Sequence, residues 1–218
     1  MKLLTTGAVA ALMLAAAACV PAENAKRPEA KAEAAAGVAS DAVHPFKVGS
    51  LQAYALLDGD NLVPNDNSVF GVGQTPEAVA AVLTAAGQPA DGLALSIHPL
   101  LVKDGDRTVL IDAGAGAAFG DKAGKLGSSL AEAGIDPATI TDVLISHGHP
   151  DHVGGLVTAD GALTYPNATI RMSEAEWASL QANTDMAVLV QAIAPKVQAF
   201  APGAVVAPGT MTTNSSPP

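Results

Sequence analysis

From His44 onward, apolar and polar positions fall into short runs broken by Gly, Pro and Asp. The segment Phe46 to Leu57 alternates in part and ends in the turn cluster Asp58-Gly59-Asp60-Asn61, which predicts a first strand. Thr75 before Pro76, with Gly87 beyond, predicts a helix over 76–86. Threonine caps the start, proline suits the first helical position and glycine permits the left-handed exit. Val79, Val82 and Leu83 fit one face of it. Two apolar runs, Leu93 to Val102 and Thr108 to Ile111, flank Lys103-Asp104-Gly105-Asp106-Arg107, and Asp-Gly in that setting predicts a hairpin. The second run ends in Asp112-Ala113-Gly114-Ala115-Gly116, where glycines let the backbone turn sharply. A short helix around 125–133, capped by Gly134, precedes the apolar strand Val143-Leu144-Ile145. Ser173 and Glu176 have capping-box spacing ahead of Trp177, and a further helix covers 186–200, bent or broken at Pro195. Strands alternating with helices, some hairpin-linked, indicate an α/β or α+β domain whose sheet is covered by helices.

Before His44 the pattern changes. Met1-Lys2 precedes a mostly apolar run, Leu3 to Ala18, too short and wrongly flanked for a stable membrane span. This predicts a signal peptide over 1–20 and an exported protein. Cys19 is the only cysteine and directly follows Ala16-Ala17-Ala18. The run resembles a bacterial lipobox, with Ala16 where leucine is commoner. A lipid on Cys19 would anchor the protein to the outer or inner membrane of a bacterium. The alternative is ordinary cleavage nearby, for instance after Ala22, giving a periplasmic protein. Residues 21–43 hold Pro, Ala, Glu and Lys without an apolar stripe and read as a flexible tether, leaving 44–218 as the domain.

Composition narrows the partners. With 11 Lys and Arg against 21 Asp and Glu the formal charge is −10, and no basic cluster follows the N-terminus. The electrostatic footprint of a nucleic-acid binder is therefore missing. A hydrophobic content of 49% over 218 residues suffices for a sizeable core. A polyanionic partner is therefore not expected, which leaves a small-molecule substrate open.

Three of the five histidines fall in the run His147-Gly148-His149-Pro150-Asp151-His152, directly after the apolar strand. Alternate residues of an extended segment point the same way, so His147 and His149 can face one metal. Asp151 and His152 then project elsewhere and can hold a second, roughly 3.5–4 Å away as in two-metal hydrolases. Imidazole and carboxylate donors suit zinc first, with iron, manganese or cobalt as alternatives. The competing reading is a surface loop whose histidines only hydrogen-bond. Helical zinc-protease motifs place histidines four apart, unlike the two- and five-residue spacings of this run. His98, before Pro99 in an apolar run, reads as a packed core histidine, and His44 as idle at the tether boundary.

Ser146-His147-Gly148-His149-Pro150-Asp151-His152-Val153-Gly154-Gly155-Leu156 resembles the His-x-His-x-Asp-His-x-x-Gly-Gly signature of the metallo-β-lactamase superfamily. Thr108 to Gly114 resembles that superfamily's strand ending in Asp-x-Gly, and the likeness extends over about 45–209. The leader, the Leu57-Asp58-Gly59 strand end and the helix after Arg171-Met172-Ser173-Glu174 are most similar to the lactonase-like branch. The resemblance implies a metallo-β-lactamase-like αβ/βα sandwich, represented by its N-terminal half and part of the middle. It implies His147 and His149 on the first of two zinc ions and Asp151 and His152 on the second, with Asp112 behind them orienting a ligand or the loop. A turn-capping role is the alternative for Asp112.

A complete relative adds a third histidine to each metal and a bridging aspartate, all further along the chain. After His152 this sequence has no histidine, and its only later aspartates are Asp160 and Asp185. Two donors per ion fall short of the three expected at a catalytic zinc, and the tail from Ala207 is polar and of low complexity. The expectation is thus a C-terminally truncated domain with an incomplete ligand set. By family the chain is an exported zinc-dependent hydrolase of a lactone or related ester. In that reaction a metal-bound hydroxide attacks the carbonyl and Asp151 orients the nucleophile. The alternative is a catalytically inactive remnant with weak or no metal binding.

Overall fold

The computed structural model describes residues 40–203, 205–207 and 211–212, all within one unit spanning Ala32–Pro218. The expected leader, Cys19, the tether up to Ala39 and most of the tail lie outside the described residues. None of the described helices is long and apolar enough to cross a membrane.

The main sheet begins with a hairpin, β1 (Val43–Val48) and β2 (Leu51–Leu56), where the sequence predicts one strand. Gly49, at φ +61°, makes the two-residue reversal with Ser50, so these two residues become a turn instead of strand interior. Val43, expected in the tether, is 1% exposed and already part of the core. The apolar run 93–102 likewise divides, at His98-Pro99, because Pro99 has no N–H to offer a ladder. Its first part, β4 (Gly92–Ile97), pairs with β3 (Gly59–Pro64) in a separate two-stranded sheet. Its second part, β5 (Leu100–Asp104), joins the main sheet and forms the expected hairpin with β6 (Arg107–Ile111) around Gly105.

Beyond β6 the sheet turns parallel, through β7 (Asp142–Leu144), β8 (Thr169–Ser173) and β9 (Val197–Phe200). The order is β1-β2-β5-β6-β7-β8-β9. A short pair, β10 (Val205–Ala207) and β11 (Met211–Thr212), follows.

The helices are short. α1 (Pro76–Ala85) starts as expected, with the Thr75 hydroxyl accepting the Ala78 N–H; of its supposed apolar face only Leu83 is buried, while Val82 is 69% exposed. α2 (Leu126–Glu132), α3 (Pro150–Val153), α4 (Glu174–Ala182) and α5 (Ala187–Ile193) complete the set among the described residues. The helix expected over 186–200 ends at Ile193, and Pro195 hands the chain to β9.

Alternation along the strands sorts the sheet into two faces. One bears Val43, Tyr54, Leu56, Leu101, Leu110, Val143, Ile145, Ile170 and Met172, which form one core with Leu130 of α2, Leu180 of α4 and Ile193 of α5. The opposite face carries Ala53, Val102, Val109 and Leu144, which are buried, and Phe46, Leu51, Leu100 and Ile111, which are half-buried; none of these belongs to that core. This is the mixed α/β architecture the sequence implies.

Candidate metal centre

β6, β7 and β8 run in the same direction, so their carboxyl ends bring the Asp112 turn, the histidine run and the Ser173–Glu176 segment to one edge of the sheet. That edge is where α/β sheets bind ligands.

The donors meet in pairs. His147 Nε2 and His149 Nδ1 are 3.1 Å apart, and Asp151 Oδ2 and His152 Nε2 are 3.3 Å apart. The His147 and His152 rings lie 3.8 Å centroid to centroid, so the pairs adjoin. Two nitrogens sharing one tetrahedral zinc at about 2.0–2.1 Å would stand ~3.3 Å apart, close to the separation in the first pair. Among the described residues no group of three or more His, Cys, Asp or Glu is arranged to hold an ion. Donor type and the separation within each pair suit a shared divalent ion, but the described residues bring only two donors together at a time.

Asp112 and Ser146 set the direction of the rings. Asp112 Oδ2 lies 2.8 Å from His152 Nδ1. An Nδ1–H donated there leaves Nε2 with its lone pair toward Asp151, the way carboxylates fix ligand imidazoles. The Ser146 N–H and hydroxyl both donate to Asp112, each at 2.8 Å. With its proton so used, Ser146 Oγ accepts from His147 Nδ1, 3.0 Å away, and frees His147 Nε2 in turn. Burial pushes the Asp112 carboxyl up, but hydrogen bonds from His152 and Ser146 outweigh it and hold the group below its ordinary value. The same hydrogen bond to Asp112 raises His152. Burial, then the neighbouring His152 and His149, lowers His147.

Asp112 adopts φ +60°, a left-handed conformation that aspartate tolerates better than most residues. The turn that follows is closed on one side by the motif glycines. A Cβ on Gly154 would meet the Ala115 carbonyl oxygen at 2.1 Å, and one on Gly155 the Ala113 oxygen at 2.0 Å. Ala113 N–H donates to the His152 carbonyl at 2.8 Å, and Gly155 N–H to that of Gly114 at 3.0 Å. The glycine pair that ends the motif is thus explained by backbone-on-backbone packing.

Some participants were not legible from spacing. Ser173 caps α4 by accepting the Glu176 N–H, yet Glu176 does not close the capping box; its Oε2 accepts the Gly148 N–H at 2.8 Å and props the backbone between His147 and His149. His98 is exposed and not a core residue, contrary to its apolar setting in the sequence. With Ser96, Asp112, Asp151 and His152 it lines a cavity of about 160 Å³. His44 is exposed on β1, its ring 6.2 Å from that of Phe46.

A seven-stranded α/β sheet with this histidine run at its carboxyl edge defines a class, and the family model agrees. The model of the metallo-beta-lactamase superfamily matches residues 94–208, more than half of the chain, and the protein belongs to that superfamily.

Among solved structures it is similar to AidC, a dizinc quorum-quenching lactonase in complex with a product, N-hexnoyl-L-homoserine: 26% identity over 75% of this chain and 63% of that one, TM-score 0.67. It is also similar to the hydrolase AbOPH of the beta lactamase superfamily, with 29% identity over 77% of this chain and 63% of that one, TM-score 0.65. A probable metal-dependent hydrolase from Staphylococcus aureus shares the fold, at 23% identity over 75% of this chain and 63% of that one, TM-score 0.60. The chain thus spans 63% of the length of each of these proteins. No curated protein matches it.

Proposed function

We propose that the protein is an exported, zinc-dependent hydrolase of a lactone or related ester. The observation that carries this reading is the pair of facing donor sets, His147 with His149 and Asp151 with His152, beside a cavity that Asp151 and His152 themselves line. Its likeness to a dizinc lactonase at 26% identity supports the substrate class.

His147 and His149 would hold one divalent cation, and Asp151 and His152 a second. Bound metal supplies Lewis acidity at a carbonyl and an acidified water near neutral pH. The chain's own residues do the rest. Asp112 and Ser146 keep the lone pairs of His147 and His152 on the donor side, and Asp151 orients the attacking water. The cavity of about 160 Å³ is smaller than the roughly 300–1,000 Å³ typical of whole-ligand pockets, so it would take the reacting carbonyl and a short substituent. His98 and Ser96, which also line it, offer hydrogen-bonding side chains to that group.

The test is zinc titration of the purified chain, together with hydrolysis of a panel of lactones and aryl esters at fixed zinc, with His149→Ala alongside. Zinc-dependent turnover lost in His149→Ala is the expected result. No zinc uptake by the wild-type chain would overturn the reading. Export is tested by mass spectrometry of the protein from its own cells. A mature form without Met1, carrying a lipid on Cys19, is expected; an intact Met1 excludes export, and an unmodified start beyond Cys19 excludes only the lipid.

A further inference from the structure

We propose that Asp58 is a positioning residue for this centre, holding the Asp112–Gly116 turn in the place from which Asp112 can orient His152. The proposal rests on the metal reading for its consequence, though not for its geometry.

Asp58 occupies the bend between β2 and β3 and is 1% exposed. A carboxylate is buried at such a position only when its oxygens are hydrogen-bonded. Both are: Oδ2 accepts the Ala115 N–H at 2.8 Å, and Oδ1 accepts the Leu126 N–H at 3.0 Å. Leu126 opens α2, where the unpaired N–H groups and the helix dipole favour an anion. The backbone of Asp58 adds two more bonds, its N–H donating to the Ile97 carbonyl and its carbonyl accepting the Lys125 N–H, both at 2.8 Å. One residue therefore joins the strand end beside His98, the start of α2 and the turn behind the histidines.

The turn has two supports. Gly154 and Gly155 close one side by backbone contact, and Asp58 supplies the side-chain support on the other. Gly114 lets the carboxylate in: at φ +73°, a Cβ there would stand 2.5 Å from Asp58 Cγ. Asp112, two residues before Gly114, carries both the Ser146 bonds and the contact with His152 Nδ1. If the Asp58 support is lost, the turn can move away from the glycine pair, and Asp112 moves with it. A carboxylate is specifically required. Each oxygen meets a separate N–H, and the amide of asparagine would turn an NH₂ toward one of them.

The experiment compares Asp58→Asn with Asp142→Asn, a buried carboxylate at the opposite end of β7. The readouts are thermal stability, zinc affinity by competition with a chromophoric chelator, and amide exchange at Ser146, whose N–H is held by Asp112. Asp58→Asn should weaken zinc binding roughly 10–100-fold and speed Ser146 exchange. Asp142→Asn should lower thermal stability at least as much and change neither. Gly114→Ala attacks the same contact from the turn and answers the question if Asp58→Asn fails to fold. Zinc affinity unchanged in Asp58→Asn, or reduced equally in Asp142→Asn, overturns the proposal. Should the wild-type chain take up no zinc, the metal reading fails, and unchanged Ser146 exchange in Asp58→Asn overturns the positioning role by itself.

Discussion

The two ends of β7 both carry buried or half-buried carboxylates, and they are satisfied in opposite ways. At its amino end Asp142 takes Arg107 Nη2 at 2.8 Å on one oxygen and Arg171 Nε at 2.7 Å on the other, with the Thr141 hydroxyl at 2.9 Å. Two guanidiniums tie β6, β7 and β8 together and leave no negative charge over. Beyond its carboxyl end, Asp112, Asp151 and Asp58 are met by N–H groups, a hydroxyl and the His152 ring, and among the described residues no Lys or Arg side chain pairs with them. A neutralised carboxylate fastens strands. Carboxylates held by neutral donors keep their charge and can attract a cation, and a site for divalent metal needs that.

The sharpest way to break this contrast is at the rings. His147→Ala or His149→Ala removes half the protein donors of the first pair and should abolish zinc uptake there, while His44→Ala leaves it unchanged; equal zinc content by elemental analysis in all three would show that the ligands lie elsewhere. Next in size, Asp142→Ala should cost about 2–3 kcal/mol in denaturant unfolding. That is less than the about 3–5 kcal/mol of a fully buried pair, because both guanidiniums are 26% exposed. Burial raises the Asp142 carboxyl, and the two arginines more than reverse this, holding it below 3.8. A carboxylate depressed in the folded state contributes stability above its unfolded value and loses it as pH falls through the folded one. The acid limb of wild-type stability should therefore steepen below pH 3.8, and flatten in Asp142→Ala. A parallel limb would assign acid unfolding to other groups.

Smaller effects sharpen the site end. Asp112→Asn keeps a residue that accepts left-handed backbone but loses the charge facing His152, and should weaken zinc binding roughly 10–100-fold with little change in melting temperature. A stability loss without an affinity loss would make Asp112 a turn cap, the alternative its sequence position allows. Smallest, Glu176→Gln retains an oxygen for the Gly148 N–H and should cost about 0.5 kcal/mol or less, whereas Glu176→Ala, leaving that N–H without its partner, should lower zinc affinity several-fold.

The contrast also explains what could be read from the sequence. Local chemistry was legible: the Thr75-Pro76 start, the Asp104 to Arg107 hairpin and the spacing of the histidine run each act over a few residues. The strand that became a hairpin at Gly49, and the helix that became β9 after Pro195, depended on which neighbour each segment pairs with, and that is a tertiary choice. His98 was misplaced for a similar reason. Its apolar surroundings belong to two strands in different sheets, and the residue between them faces the cavity. Glu176 carried a visible signal, but the capping-box pattern says nothing about a backbone N–H elsewhere in the chain that competes for the same oxygen.

The glycine pair after the histidine run bears on how such a protein could evolve. Positions 154 and 155 press on carbonyl oxygens at 2.1 and 2.0 Å from where a Cβ would stand, so almost any mutation there would be purged. The wall at Ser96 and His98 is exposed and has no comparable constraint. On the proposed reading, variation could therefore accumulate on the Ser96 and His98 side while the donors stay in register, and substrate preference could drift between lineages without passing through forms that have lost metal binding.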